Sequence, residues 1–151
     1  MRSGDSPPSS TAGLPEWLCG RAQFLRFAPQ ADQRGMLLPI ELEDIPFVVR
    51  RIFVISPGDA GEIRGGHSHR NGRQLLVCLD GEIEVSLQEA GRAYATTLRP
   101  DGVSLIIEAG LWSQQTYASA SSRLLVLSDQ NFDDVEYVSE PLIGAPSGTR
   151  K

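Results

Sequence analysis

The chain has 151 residues and a mass of 16.4 kDa, with 40% hydrophobic and 22% charged side chains. That composition describes one soluble globular domain, large enough to fold without disulfide or metal staples. A net charge of −5 and a pI near 5.0 exclude a nucleic-acid binder that works through a basic face. No stretch approaches the roughly 18 apolar residues of a membrane span.

Taken in chain order, residues 1–18 are rich in Ser, Pro and Gly and lack the apolar segment of a signal peptide. They are expected to form a disordered tail. The folded domain is expected over 19–140, and the Pro/Gly-rich residues 141–151 form a second tail. Phe47 to Ile55 is β-branched and aromatic and predicts a strand. Leu75 to Leu79 predicts another, closed by Asp80-Gly81, a hairpin signal. Ile83, Val85 and Leu87 alternate with Glu82, Glu84 and Ser86, which describes a strand with one wet face. Glu89 to Arg92 turns the chain into Ala93 to Leu98, and Arg99-Pro-Asp-Gly102 turns it again. Val103 to Ile107, Leu111 to Tyr117 and Arg123 to Leu127 complete the set. Short strands at this spacing, with no long 3.6-residue period, predict an all-β jelly roll.

Cys19 and Cys78 match no zinc spacing and build no disulfide framework, so a reduced cytoplasmic setting is expected. Cys78, in an apolar run, is expected to be a buried, inert thiol. His67 and His69 are the two histidines of the chain. In an extended strand, residues two apart share a face, so both imidazoles project together. On a solvated face they would do little; inside a barrel they would meet in the cavity. Gly61, His67, His69, Gln74 and Gly81 keep the spacing of the first cupin motif, with Gln74 in place of its glutamate. Gly102, Glu108, Gly110 and Ser113 keep that of the second, with Ser113 in place of its histidine. The chain therefore resembles the cupins, and a single-domain cupin barrel is the expected fold. A metallo-cupin needs three histidines and a carboxylate. With Gln74 and Ser113 in the remaining places, no metal and no cofactor is expected.

Further segments resemble the cupin-type, WxcM-like sugar 3,4-ketoisomerases. They are Arg34-Gly-Met-Leu-Leu-Pro-Ile-Glu41, Ile45-Pro-Phe47, Arg50-Arg51, Arg64-Gly-Gly-His-Ser-His-Arg70 with Gln74, Trp112, and Phe132-Asp-Asp-Val-Glu-Tyr137. The resemblance implies a metal-independent isomerase, a TDP-linked 4-keto-6-deoxyhexose as substrate and a homodimer. It implies His69 as the base and His67 as its helper, the residue type suited to moving protons near neutrality. Arg64 would stabilise an oxyanion or hold a phosphate. Gln74 and Ser113 would face the sugar, and Arg34 and Arg51 the nucleotide end. Alone, each arginine reads as a surface charge, Trp112 as core, and Asp133, Asp134 and Glu136 as a solvated acidic turn. Tyr137 is expected to pack the C-terminal segment on the barrel.

The chain departs from the family at Phe53-Val54, where a tyrosine is usual, and at Ser113, where a histidine is. Two alternatives stay open: a non-catalytic cupin that binds a nucleotide sugar, and an isomerase or epimerase of another keto-sugar. Whether another hydroxyl, such as that of Tyr94 or Tyr117, reaches the cavity bears on the first.

Overall fold

The computed structural model describes residues 9–133 and 137–138; the expected tail 141–151, and Asp134 and Glu136 of the expected acidic turn, lie outside them. The strands are β1 (Ser9–Ser10), β2 (Ala22–Arg26), β3 (Gln30–Asp32), β4 (Gly35–Leu37), β5 (Arg51–Ile55), β6 (Ile63–His69) and β7 (Gln74–Asp80). They continue as β8 (Ile83–Glu89), β9 (Arg92–Leu98), β10 (Val103–Ile107), β11 (Trp112–Tyr117), β12 (Arg123–Ser128) and β13 (Tyr137–Val138). One antiparallel sheet runs β1-β2-β10-β7-β12-β5 and the other β13-β6-β11-β8-β9. Among the described residues β3 and β4 pair only with each other. Two sheets facing one another around an apolar interior make the expected jelly roll.

The period of two decides what lies inside. Ile83, Val85 and Leu87 of β8 are fully buried while Glu84 is exposed. With Leu98, Leu105, Ile107 and Tyr117 they fill the space between the sheets. A second apolar layer lies on the outer face of the first sheet, where Leu25, Leu75, Val77, Ile106 and Leu127 are covered by Leu38, Ile40, Ile45, Phe47 and Val49. This corrects the strand expected from Phe47. Phe47 and Val49 serve as covering side chains, and backbone pairing with β12 starts at the Arg50 N–H, just before β5.

Two further expectations change. Asp80-Gly81 joins strands of different sheets and is a corner, not a hairpin. Gly81 is left-handed there (φ 73°), and a side chain on it would run into Ser122. The hairpin that follows, β8 to β9, turns on Ala90 and Gly91, both with positive φ, as a tight hairpin turn requires. Of the segment expected as a disordered tail, residues 1–8 lie outside the described residues and 9–18 dock on the barrel. Ser9 and Ser10 pair with Leu25 and Phe24, and Leu18, at 0% exposure, joins the inner core with Leu14 and Trp17 against it. Three apolar side chains in a Ser/Pro/Gly-rich stretch are enough to dock it. The Arg21–Glu89 ion pair (2.7 Å) and Arg92 over the Trp17 ring (5.1 Å) secure the same end.

Candidate active site

The interior is not filled everywhere. Between β5, β12 and β6 lies a cavity of about 750 Å³. Leu76, Leu124 and Val126 give it an aliphatic floor, and Arg51, Arg64, His67, Gln74, Gln115 and Tyr137 give it polar walls. Space is made by the backbone of β6, where Gly65 and Gly66 both adopt positive φ (87° and 77°) opposite a register shift in β11 at Ser113/Gln114. A Cβ on Gly65 would sit 2.8 Å from Gln115 Oε1 and 3.1 Å from the Ser113 carbonyl oxygen. Only glycine lets the two strands approach this closely.

After the glycines, β6 presents His67 and His69 on one face, as the i, i+2 spacing predicts. The two rings are 5.1 Å apart and nearly perpendicular, at 77°. His67 lines the cavity; His69 stands beside it, beyond the described lining. Tyr137 pairs with His69 across β13 and β6, and its ring lies 4.6 Å from His67 and 4.7 Å from His69. Its phenolic oxygen accepts a hydrogen bond from Arg51 Nη1 at 3.4 Å. The Arg51 guanidinium is stacked over Phe53 (4.5 Å) and Phe132 (5.1 Å), which fixes it at the cavity mouth. Among the described lining residues two are arginines and none is a carboxylate. The site accepts an anion.

The structure places His67, Arg64, Arg51 and Gln74 on the cavity wall, with His69 beside His67. Ser113 faces His67 across the strands, but it is buried beside the cavity, its hydroxyl accepting from Gln115 Nε2 at 3.3 Å. Arg34 does not join them. It is 86% exposed in the β3–β4 turn and paired with Asp32, whose carboxyl it holds below the ordinary range. No residue of β3 or β4 is among the described lining of the cavity. Trp112 is buried, in keeping with core. Tyr94 and Tyr117 do not line the cavity. Tyr117 is fully buried, and burial pushes its phenol up to about 12. Cys78 is buried as expected, and burial pushes its thiol up to about 11, which disfavours the reactive thiolate near neutrality.

Sequence reasoning missed two wall residues. Gln115 is the next inward position after Ser113 and was readable from alternation alone. Tyr137 lies in a matching segment, but no period ties it to the barrel interior. Among the described residues no three His, Cys, Asp or Glu side chains converge as a metal site.

The family model described as FdtA, WxcM-like, C-terminal, matches residues 21–142. The TDP-4-oxo-6-deoxy-alpha-D-glucose-3,4-oxoisomerase of Aneurinibacillus thermoaerophilus is 30% identical over 119 residues, 78% of this chain and 86% of that protein. The 3,4-ketoisomerase QdtA of Thermoanaerobacterium thermosaccharolyticum, solved with TDP, superposes with a TM-score of 0.75 at 30% identity, covering 80% of this chain and 88% of that one. A histidine-to-asparagine variant of QdtA, solved with TDP-4-keto-6-deoxyglucose, matches equally well. A 3,4-ketoisomerase from Helicobacter canadensis gives a TM-score of 0.73 at 29% identity, covering 79% and 90%.

Proposed function

From the premise that the chain belongs to the FdtA, WxcM-like family, we propose that it moves the keto group of a TDP-linked 4-keto-6-deoxyhexose from C4 to C3. The observation that carries this reading is the imidazole pair beside a cavity with two guanidinium groups and no carboxylate on its described walls. The reaction removes a proton from C3, passes through an enediol and delivers a proton to C4. An imidazole takes and returns a proton near neutrality, and C3 and C4 are neighbours, so one well-placed base serves both. His69 is that base, and His67, on the cavity wall, steadies it or relays its proton. Arg64 and Arg51 hold the diphosphate or the charge that develops on oxygen. Gln74 and Gln115 present amides to sugar hydroxyls, and Ser113 orients Gln115. Arg34 has no part in the cavity of its own chain.

The reaction is proposed to run without metal, because Gln74 and Ser113 are poor ligands and two imidazoles rarely suffice. Elemental analysis showing one zinc, iron or nickel per chain, lost with activity on chelation, would overturn this. A homodimer is proposed on the outer face of β5, the last strand of its sheet. Ile52 (56% exposed) and Val54 (54%) stand there, exposed apolar side chains that a second copy would cover. A reduced cytoplasmic setting suits the two free cysteines.

Incubation with TDP-4-keto-6-deoxyglucose in deuterated water tests the reading. Deuterium should appear at C4 of a 3-keto product, or wash into C3 of recovered substrate. Binding without any exchange would instead establish the non-catalytic cupin, with Phe53 and Ser113 as the positions where activity was lost.

A further inference from the structure

Migration of the carbonyl moves two kinds of proton. One leaves C3 and arrives at C4; the other leaves the O3 hydroxyl and ends on O4. The imidazole pair accounts for the first, and nothing assigned so far accounts for the second. Phe53 lines the cavity without a hydroxyl, Tyr94 and Tyr117 do not reach it, and the Ser113 hydroxyl is engaged by Gln115. Two described lining residues remain with a hydroxyl, the exposed Ser56 and Tyr137, and of these Tyr137 is the more acidic, a phenol whose ring touches both imidazoles.

We propose, resting on the isomerase reading above, that Tyr137 is a catalytic residue that shuttles the hydroxyl proton between O4 and O3. Its oxygen already accepts from Arg51 Nη1 at 3.4 Å, so its own O–H is the donor left for the sugar. Arg51 also places a fixed positive charge against the oxygen that becomes negative when that proton leaves. The step balances without an outside reagent. As the C3–H bond breaks and its proton passes to the histidine, the C3–C4 double bond forms and O4 takes the Tyr137 proton. The phenolate recovers a proton from the O3 hydroxyl. The C3 carbonyl forms as C4 takes the proton held by the histidine. The chemistry recognised is a vicinal keto-alcohol, in which the two oxygens are close enough for one hydroxyl to serve both.

The test is Tyr137→Phe in the full chain, which keeps the ring against the imidazoles and removes only the hydroxyl. With TDP-4-keto-6-deoxyglucose, kcat should fall by about 10² or more, as for a lost general acid–base group. TDP affinity, KM and melting temperature should stay near those of the parent. Unchanged kcat would overturn the proposal, and so would a loss of activity that tracks a loss of TDP binding or of thermal stability, because that is the mark of a packing role. A parent protein that binds the sugar but neither isomerises nor exchanges it refutes the isomerase reading itself, and is told apart by needing no variant.

Discussion

Between β2, β10 and β8, β9 the inward side chains Leu105, Ile107, Ile83, Val85, Leu87 and Leu98 are at most 4% exposed and belong to one packed cluster. Between β5, β12 and β6 the inward positions carry Arg51, Phe53, Gly65 and His67, and the same two sheets enclose a cavity. Both halves use the same alternation and the same antiparallel pairing. They differ in side-chain volume and in one stretch of left-handed glycine backbone. The closed half supplies the burial that holds the sheets together, and the open half spends that rigidity on fixed polar groups. Leu76, Leu124 and Val126 belong to both, as core on one side and cavity floor on the other.

If the halves divide stability from chemistry, variants should separate them. The largest effect is expected in the open half. His69→Asn should lower deuterium exchange by about 10² to 10⁴ with little change in melting temperature, and His67→Asn should cost less. A greater loss from His67→Asn would move the base to the imidazole that lines the cavity. In the closed half, Leu87→Ala should cost about 2–5 kcal/mol in a denaturant titration and leave TDP affinity unchanged in the folded range. Weaker TDP binding in that variant would show that the halves are not separable.

Legibility in the sequence follows the same division. The closed half was readable because Ile83, Val85 and Leu87 alternate cleanly with polar residues, and burial enforces that pattern. The histidine pair was readable for the same reason, being two residues apart on β6. What failed was everything decided by long-range contact. Phe47 and Val49 have strand composition but are used to cover the outer face. Asp80-Gly81 has hairpin composition but crosses between sheets, with Gly81 lying close against Ser122. Leu14, Trp17 and Leu18 sit among tail-like neighbours and still dock. Tyr137 reaches the histidines only because β13 adds to the edge of β6.

A smaller effect is expected where the halves meet, at Gly65. Gly65→Ala places a methyl against Gln115 and the Ser113 carbonyl at a φ that disfavours any side chain. It should cost about 1–3 kcal/mol of stability and also lower kcat, because Gln115 must shift into the cavity. A stable variant of full activity would show that the close approach of β6 and β11 does not shape the site.

The smallest effect is invisible at neutral pH and belongs wholly to the buried interior. Burial pushes the Cys78 thiol from 9.0 to about 11 and the Tyr117 phenol from 10.0 to about 12. The unfolded chain therefore gives up both protons at lower pH than the folded one does. Raised pKa values of this kind contribute stability that is complete below about 9 and is lost as the pH climbs through 11 and then 12. Melting temperature should fall across that alkaline window, and Cys78→Ala should flatten the first part of the fall while leaving the Tyr117 part in place. Alkylation reads the same burial chemically: at pH 8 the exposed Cys19 should react with iodoacetamide and Cys78 should not. Equal labelling of the two thiols in the folded protein would mean that the filled half opens readily, and that its separation from the cavity is not static.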